Sequence, residues 1–428
     1  MILIYTEKVT PRLQYICSFI FKELIQVDFA VTADEELFKL HEGAKINYSK
    51  SPVAELEVRI ENVNLLFESD IKQQSVSCFE TNGYKAFYKT SSLYFPFDIF
   101  AACFYLLSRY EEYLPHTKDM YGRYAHENSL AFKEGFLQLP LINIWVNDFA
   151  KAIKNKFSIF NFQFSIFNFL PTYDIDIAYA FKHKGLLRNI GGFLKSPSFE
   201  RIKVLAGLQQ DPFDVYDWVD NFHQQHSLQP VYFFLLAQKN SLYDKNILPH
   251  TNAVKQLVKT HAKKYTVGIH PSWQSGEDDA LLLSEKSTLE NISNQPITQS
   301  RQHYIRFSLP DGYQRLTDAG ITDDYSMGYG SINGFRASVA STFYWYNLQK
   351  EQQTNLRIHP FCYMDANSFY EQHLTALQAY NELLHYYNIC KQVDGTLISI
   401  WHNNFLGSDK QFAGWRQCYE QFIALVQQ

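Results

Sequence analysis

No stretch of the chain approaches the roughly 20 consecutive apolar residues that a membrane-crossing helix requires, so no membrane span is expected. Positive charge is not in excess: 39 Lys and Arg stand against 44 Asp and Glu, a net charge of -5. A net charge of that sign gives no electrostatic footprint for nucleic-acid phosphates, and no nucleic-acid partner is expected. Cysteine is sparse and scattered. Cys17, Cys78, Cys103, Cys362, Cys390 and Cys418 form no CxxC pair and no Cys/His ladder, which excludes a structural zinc knuckle and leaves reduced core or surface thiols. The opening residues, MILIYTEKVTPRLQYICSFIFKEL, lack the basic start, apolar stretch and small-residue cleavage site of a secretory leader, so a cytoplasmic protein is expected.

What is present is core-forming material. Of 428 residues, 46% are hydrophobic and 16% aromatic, with only 19% charged, a composition of packed domains and not of a disordered chain. The length suits a small domain followed by a larger one. Residues 1–160 read as a mixed α/β unit, in which Phe97 to Tyr113 is apolar on nearly every face and predicts a helix inside the domain, stopped by Pro115. Tyr121 to Pro140 is polar with scattered aromatics and reads as an ordered loop over a neighbouring domain. The hexamer FSIFNF occurs at 157–162 and again at 164–169; so aromatic and uncharged a strand must be covered, which sets the boundary near residue 160.

From there to 428, strand-like and helix-like stretches alternate. The strand candidates are 164–170, 231–237, 265–270, 303–309, 334–338, 356–361 and 396–401, close to a barrel count. Helices are expected at 214–222, 251–264, 279–292, 368–393 and 408–427; the segment 181–211 carries no pattern that assigns it. In parallel α/β folds the reacting groups gather at the C-terminal ends of strands. Three strand ends stand out. In Thr172-Tyr173-Asp174-Ile175-Asp176 the period of two puts both carboxylates on one side, and so close a like-charged pair calls for a cation or a shared proton. Gly268-Ile269-His270-Pro271 and Ile400-Trp401-His402 each end an apolar run in an imidazole, a good ligand for zinc-like metals and a good acid near neutrality.

The ordered set TYDID, GIHPSW and ISIWHNN resembles the polysaccharide deacetylases, carbohydrate esterase family four, over roughly residues 164–405. DDYSMGYGSINGFRAS, Asp323 to Ser338, resembles the branch with an uncharacterised domain in front. The resemblance implies a deformed (β/α)7-type barrel, NodB-like, preceded by a smaller α/β domain. It implies hydrolysis of an acetyl group from an N-acetylated amino sugar of a glycan or glycan precursor, a carbon–nitrogen non-peptide bond. Asp174 would be the general base, Asp176 and His270 metal ligands, and His402 the acid for the leaving amine. Arg336, or after it Arg301, would orient the base. The cofactor is a divalent metal, zinc first. Substrate contacts are expected from Tyr325, Trp273, Trp401, Asp323 and Asp324, with a carbohydrate as the partner. Where the family offers a second histidine four residues after the first, this chain has Gln274, so either a third ligand comes from elsewhere, with His303, Asp323 and Asp324 as candidates, or the metal binds weakly, or the domain no longer hydrolyses anything. The alternatives are a non-catalytic carbohydrate-binding barrel and a glycoside hydrolase, whose two carboxylates would lie roughly 5 to 9.5 Å apart across a cleft.

Overall fold

One parallel and one largely parallel sheet organise the chain, in a computed structural model that describes residues 1–92, 95–157 and 166–427. The first holds β1 (Ile2–Thr6), β2 (Phe29–Thr32), β3 (Ala44–Tyr48) and β4 (Val58–Arg59), in the order β2-β1-β3-β4. A separate antiparallel hairpin pairs β5 (Phe79–Thr81) with β6 (Tyr84–Ala86). The helix expected from Phe97 runs over Ile99–Leu107, every residue buried, and is capped by Asp98, whose carboxylate accepts the Ala101 N–H. It ends well before Pro115. Arg109 takes a left-handed φ of 55° and Tyr110–Tyr113 closes a tighter turn, which brings Arg109 onto Glu112 at 2.8 Å.

The second sheet comprises β7 (Asn168–Ile175), β8 (Val231–Leu235), β9 (Thr266–His270), β10 (Gln299–Ser300), β11 (Asp323–Asp324), β12 (Phe343–Asn347), β13 (Gln352–Ile358), β14 (Tyr363–Met364) and β15 (Thr396–His402). Their order is β12-β13-β11-β10-β9-β8-β7-β15-β14. Only β12 runs antiparallel. Among the described residues no pairing joins β13 to β14; the intervening edge is met by a loop, with Phe361 N–H donating to Met327 O and Gly334 N–H to Cys362 O. The sheet nevertheless curls. Asp174 on β7 and Arg301 just after β10 are three strand spacings apart, about 14 Å in a flat sheet, yet their side chains meet at 2.9 Å.

Two of the expected strands are absent. His303–Ile305 is a single tight turn with Tyr304 at φ 59°, and 334–338 is a loop with Gly334 at φ 146° and Ser338 at φ 52°. The ladder positions belong instead to the two-residue strands β10 and β11, too short to show any alternation. The expected first strand at 164–170 begins partly outside the described residues, as do much of the FSIFNF repeat and the boundary near 160. Its visible part starts at Asn168 and runs on through Asp174.

The loop from Tyr121 to Pro140 does lie on the second sheet's connections: Arg123 donates to Tyr304 O at 2.9 Å and His126 meets Ser331 Oγ at 2.9 Å.

Candidate metal centre

Five parallel strands deliver the site from their C-terminal ends. On β7 the alternation sends Tyr173 to the outer face, against His223 at 2.8 Å, and turns Asp174 and then Asp176 into a cleft of about 650 Å³. β9 ends in His270, Arg301 and His303 follow β10, Asp365 follows β14, and β15 ends in His402.

Asp176 is the hub. Its Oδ1 lies 3.2 Å from His270 Nε2, and its Oδ2 lies 3.6 Å from the Nε2 atoms of both His303 and His402. The far nitrogen of each ring is committed: His270 Nδ1 donates to Arg301 O at 2.5 Å, His303 Nδ1 to Asp244 at 2.9 Å and His402 Nδ1 to Asp365 at 2.6 Å. Carbonyl and carboxylate oxygens only accept, so Nδ1 carries the proton in all three and Nε2 faces the carboxylate. A lone pair against a carboxylate is repulsive, and a cation between them relieves it, either a proton or a metal ion.

The residues fit a metal. Asp176, His270 and His303 each offer one donor atom, all within 4.8 Å of one another, and Asp176 Oδ1 is buried with no hydrogen-bond partner. Two imidazoles and a carboxylate suit a borderline divalent ion, and rings braced from behind by an acceptor are how such ligands are oriented. Without such an ion, protons take its place. Burial works against a charged His303, but Asp176 and Asp244 outweigh it and raise the imidazole to about 9. Burial likewise opposes a charged His402, and Asp365, with Asp176 and Asp174 behind it, raises that ring to about 10. Asp176, despite its burial, is held well below the usual carboxylate range by His303 and His270.

Arg301 is the guanidinium at the acid pair. Its Nη1 donates to Asp174 Oδ1 at 2.9 Å and its Nε to Tyr325 O at 3.0 Å. The rings of Phe233, Tyr325 and Phe361 surround it at 4.5, 5.8 and 5.9 Å. Gly268 makes room for that packing, because a Cβ there would lie 2.7 Å from the Phe233 ring. Arg336, the first expectation for this place, is elsewhere: its Nε and Nη2 grip Glu112 at 2.8 and 2.6 Å and its Nη1 reaches Gly328 O at 3.0 Å. Forked onto a buried carboxylate and a carbonyl, the Arg336 guanidinium is directed to Glu112 and Gly328 and makes no hydrogen bond to Asp174 among the described residues.

The expected substrate contacts do not line the cleft. Trp401 is buried between Tyr363 and Tyr419 on the outer face. Trp273 is covered by the Arg306 guanidinium at 4.2 Å. Tyr325 stacks on His359 at 4.3 Å, Asp323 pairs with His359 and Arg357, and Asp324 accepts from Ser300 and Ser326. Tyr121, Tyr304, Phe213, Tyr370, Phe405 and Phe412 line it instead. Gln274, in the place of the missing histidine, donates to Asp244 at 3.0 Å, the same carboxylate that braces His303. Neither Asp244 nor Asp365 was anticipated. Asp365 left a trace, a carboxylate closing the apolar run Phe361-Cys362-Tyr363-Met364; Asp244, in a polar loop, left none.

Fold and site together define a largely parallel α/β protein with a candidate divalent-metal centre, flanked by the buried Asp174 carboxylate and the His402 imidazole in an arrangement suited to hydrolysis. Residues 2–158 match a family of unknown function, DUF7033. Among solved structures the chain is similar to a candidate polysaccharide deacetylase from Mycobacterium smegmatis, at 12% identity and a TM-score of 0.41 over 61% of this chain and 84% of that one. A second such candidate, from Pseudomonas aeruginosa PAO1, is similar at 9% identity and a TM-score of 0.41, over 61% and 85%. The polysaccharide deacetylase Bc1974 from Bacillus cereus is similar at 10% identity and a TM-score of 0.32, over 60% and 88%. No curated protein matches the chain.

Proposed function

We propose that this protein is a metal-dependent hydrolase that removes the acetyl group from an N-acetylated amino sugar of a glycan or glycan precursor. The single observation behind this reading is the convergence of Asp174–Arg301, Asp176–His270–His303 and His402–Asp365 on one cleft. The motif resemblance supplies the substrate class. On the same reading the curled sheet is a deformed (β/α) barrel, residues 161–428, behind an N-terminal α/β domain of residues 1–160.

Asp176, His270 and His303 would hold the ion. When bound, a divalent ion such as zinc supplies Lewis acidity, which polarises an amide carbonyl and makes water a competent nucleophile near neutral pH. Asp174, its Oδ1 fixed by Arg301, takes the proton from the attacking water through its other oxygen. His402, held as an imidazolium by Asp365, gives a proton to the departing amine, without which an amide does not expel its nitrogen. The aromatic side chains around the cleft offer faces for the apolar side of a pyranose ring. A role for Trp273, Trp401, Tyr325, Asp323 or Asp324 at the substrate is not retained.

The test joins metal analysis to acetate release. Protein supplied with zinc, cobalt or nickel is expected to bind one equivalent and to release acetate from N-acetylated sugar oligomers. Failure to hold an ion, together with no acetate, would refute the reading.

A further inference from the structure

Between β7 and the Tyr216–Gln225 helix the chain inserts a helical hairpin, Leu186–Lys195 and Phe199–Leu205, and its amphipathicity is inverted. Leu186, Leu187, Ile190 and Leu194 fall at i, i+1, i+4 and i+8, one stripe of a helix. A surface helix normally turns such a stripe to the core. Here it faces outward, with exposures of 77%, 86%, 48% and 77%, and Phe199 at 85% and Leu208 at 80% extend it. Of 21 large hydrophobics exposed among the described residues, nine lie between Leu186 and Leu208.

The polar side faces the protein. Asn189 is buried and donates to the carbonyls of Phe181 and Gly185 at 3.0 and 3.1 Å. Arg188 donates to the Asn240 side chain and to the carbonyls of Asn246 and Lys245. Arg201 crosses from the second helix to the Asn189 carbonyl at 2.9 Å. Gly192 permits that crossing, since a Cβ would sit 2.1 Å from Arg201 Nη1. At the root, Asp211 accepts the N–H groups of Ala180, Phe181 and Lys182 at 2.7, 2.8 and 2.9 Å. The hairpin is therefore clamped with its apolar side out.

Its charge is inverted too. Residues 182–208 carry six Lys and Arg against one Glu, a net +5 in a chain whose total is -5. Lys195 and Lys203, both exposed, appear in no ion pair among the described residues. An apolar face bordered by unpaired cations complements an anionic bilayer surface: the acyl boundary takes the Leu and Phe side chains while lipid phosphates take the lysines. A second copy docking through the same face would set +5 against +5.

We propose that this hairpin docks the protein on anionic membrane, lying in the interface without crossing it. No helix among the described residues is long and apolar enough to span. The proposal does not depend on the hydrolytic reading. Ile177 and Phe213, at the two ends of the insert, line the cleft.

The experiment is flotation of the full chain with vesicles of phosphatidylcholine alone or with about 30% phosphatidylglycerol. Binding is expected to strengthen roughly tenfold or more with the anionic lipid and to weaken strongly at about 0.5 M salt. Leu187→Ser, Leu194→Ser and Phe199→Ser together should abolish flotation with an unchanged circular dichroism spectrum, these being surface positions. Lys195→Glu with Lys203→Glu should weaken it at least tenfold. Wild-type protein that fails to float, or undiminished flotation of the triple serine variant, overturns the proposal. So does a wild-type dimer that the triple variant dissociates while neither floats, which would assign the face to a second copy.

Discussion

Glu112→Gln tests whether the arginine expected at the acid pair is structural. The Glu112 carboxylate accepts from Arg109 Nε at 2.8 Å and from Arg336 Nε and Nη2 at 2.8 and 2.6 Å. All three side chains are 1% exposed. Burial pushes the carboxyl up, but Arg336 and Arg109 together lower it from 4.5 to about 2. A carboxyl that titrates lower in the folded protein adds stability above its unfolded value, and that stability is lost as pH falls through the folded one. At about 1.4 kcal/mol per unit the difference is worth about 3 kcal/mol, present at neutral pH and lost between roughly pH 4.5 and 2. Breaking a buried ion pair by removing one partner costs about 3–5 kcal/mol on general grounds, so the two routes agree. Urea unfolding at pH 7 should therefore show Glu112→Gln less stable by about 3–5 kcal/mol, with the gap narrowing as pH falls below 4.5. A loss under about 1 kcal/mol at pH 7, or a gap that is unchanged at acid pH, would refute this account. Arg336→Lys should destabilise similarly; a fully stable Arg336→Lys protein without turnover would return the orienting role to Arg336.

Three further outcomes follow from the site and the core. Asp244→Asn takes the negative charge from the brace behind His303 and should weaken divalent-metal affinity by roughly 10- to 100-fold, read by calorimetric titration with zinc or cobalt. Asp174→Asn should keep metal affinity while acetate release falls by roughly 10²- to 10⁴-fold, the usual weight of a general base; equal loss of both would make Asp174 a ligand. His223 is buried against Tyr173, and burial lowers its pKa to about 3. The unfolded chain then binds the extra proton below roughly pH 6.5, so stability falls on acidification by up to about 1.4 kcal/mol per unit. His223→Gln should flatten that slope between pH 6.5 and 5 in urea unfolding.

Local patterns carried part of the architecture. β8, β9 and β15 are apolar runs of five to seven residues, and each shows in the composition of its own segment, as do most of the helices that follow them. The two-residue strands β10, β11 and β14 carry no period at all. They are strands because longer neighbours lend them partners, which is why 303–309 and 334–338 looked more strand-like than the true ladder positions.

The site divides along the same line. Side-chain alternation is a property of the extended backbone, so the shared side of Asp174 and Asp176, and the imidazoles at the ends of β9 and β15, are readable from adjacent residues alone. Which groups those atoms meet is set by the curl of the sheet and by loops arriving from far along the chain. Arg301 reaches Asp174 across 127 positions, and Glu112 claims Arg336 across 224. The same distances explain the ligand shell, where Asp244 braces His303 from 59 positions away and Asp365 braces His402 from 37. Pairings of that kind depend on curvature and packing in three dimensions, and no period along the chain encodes them.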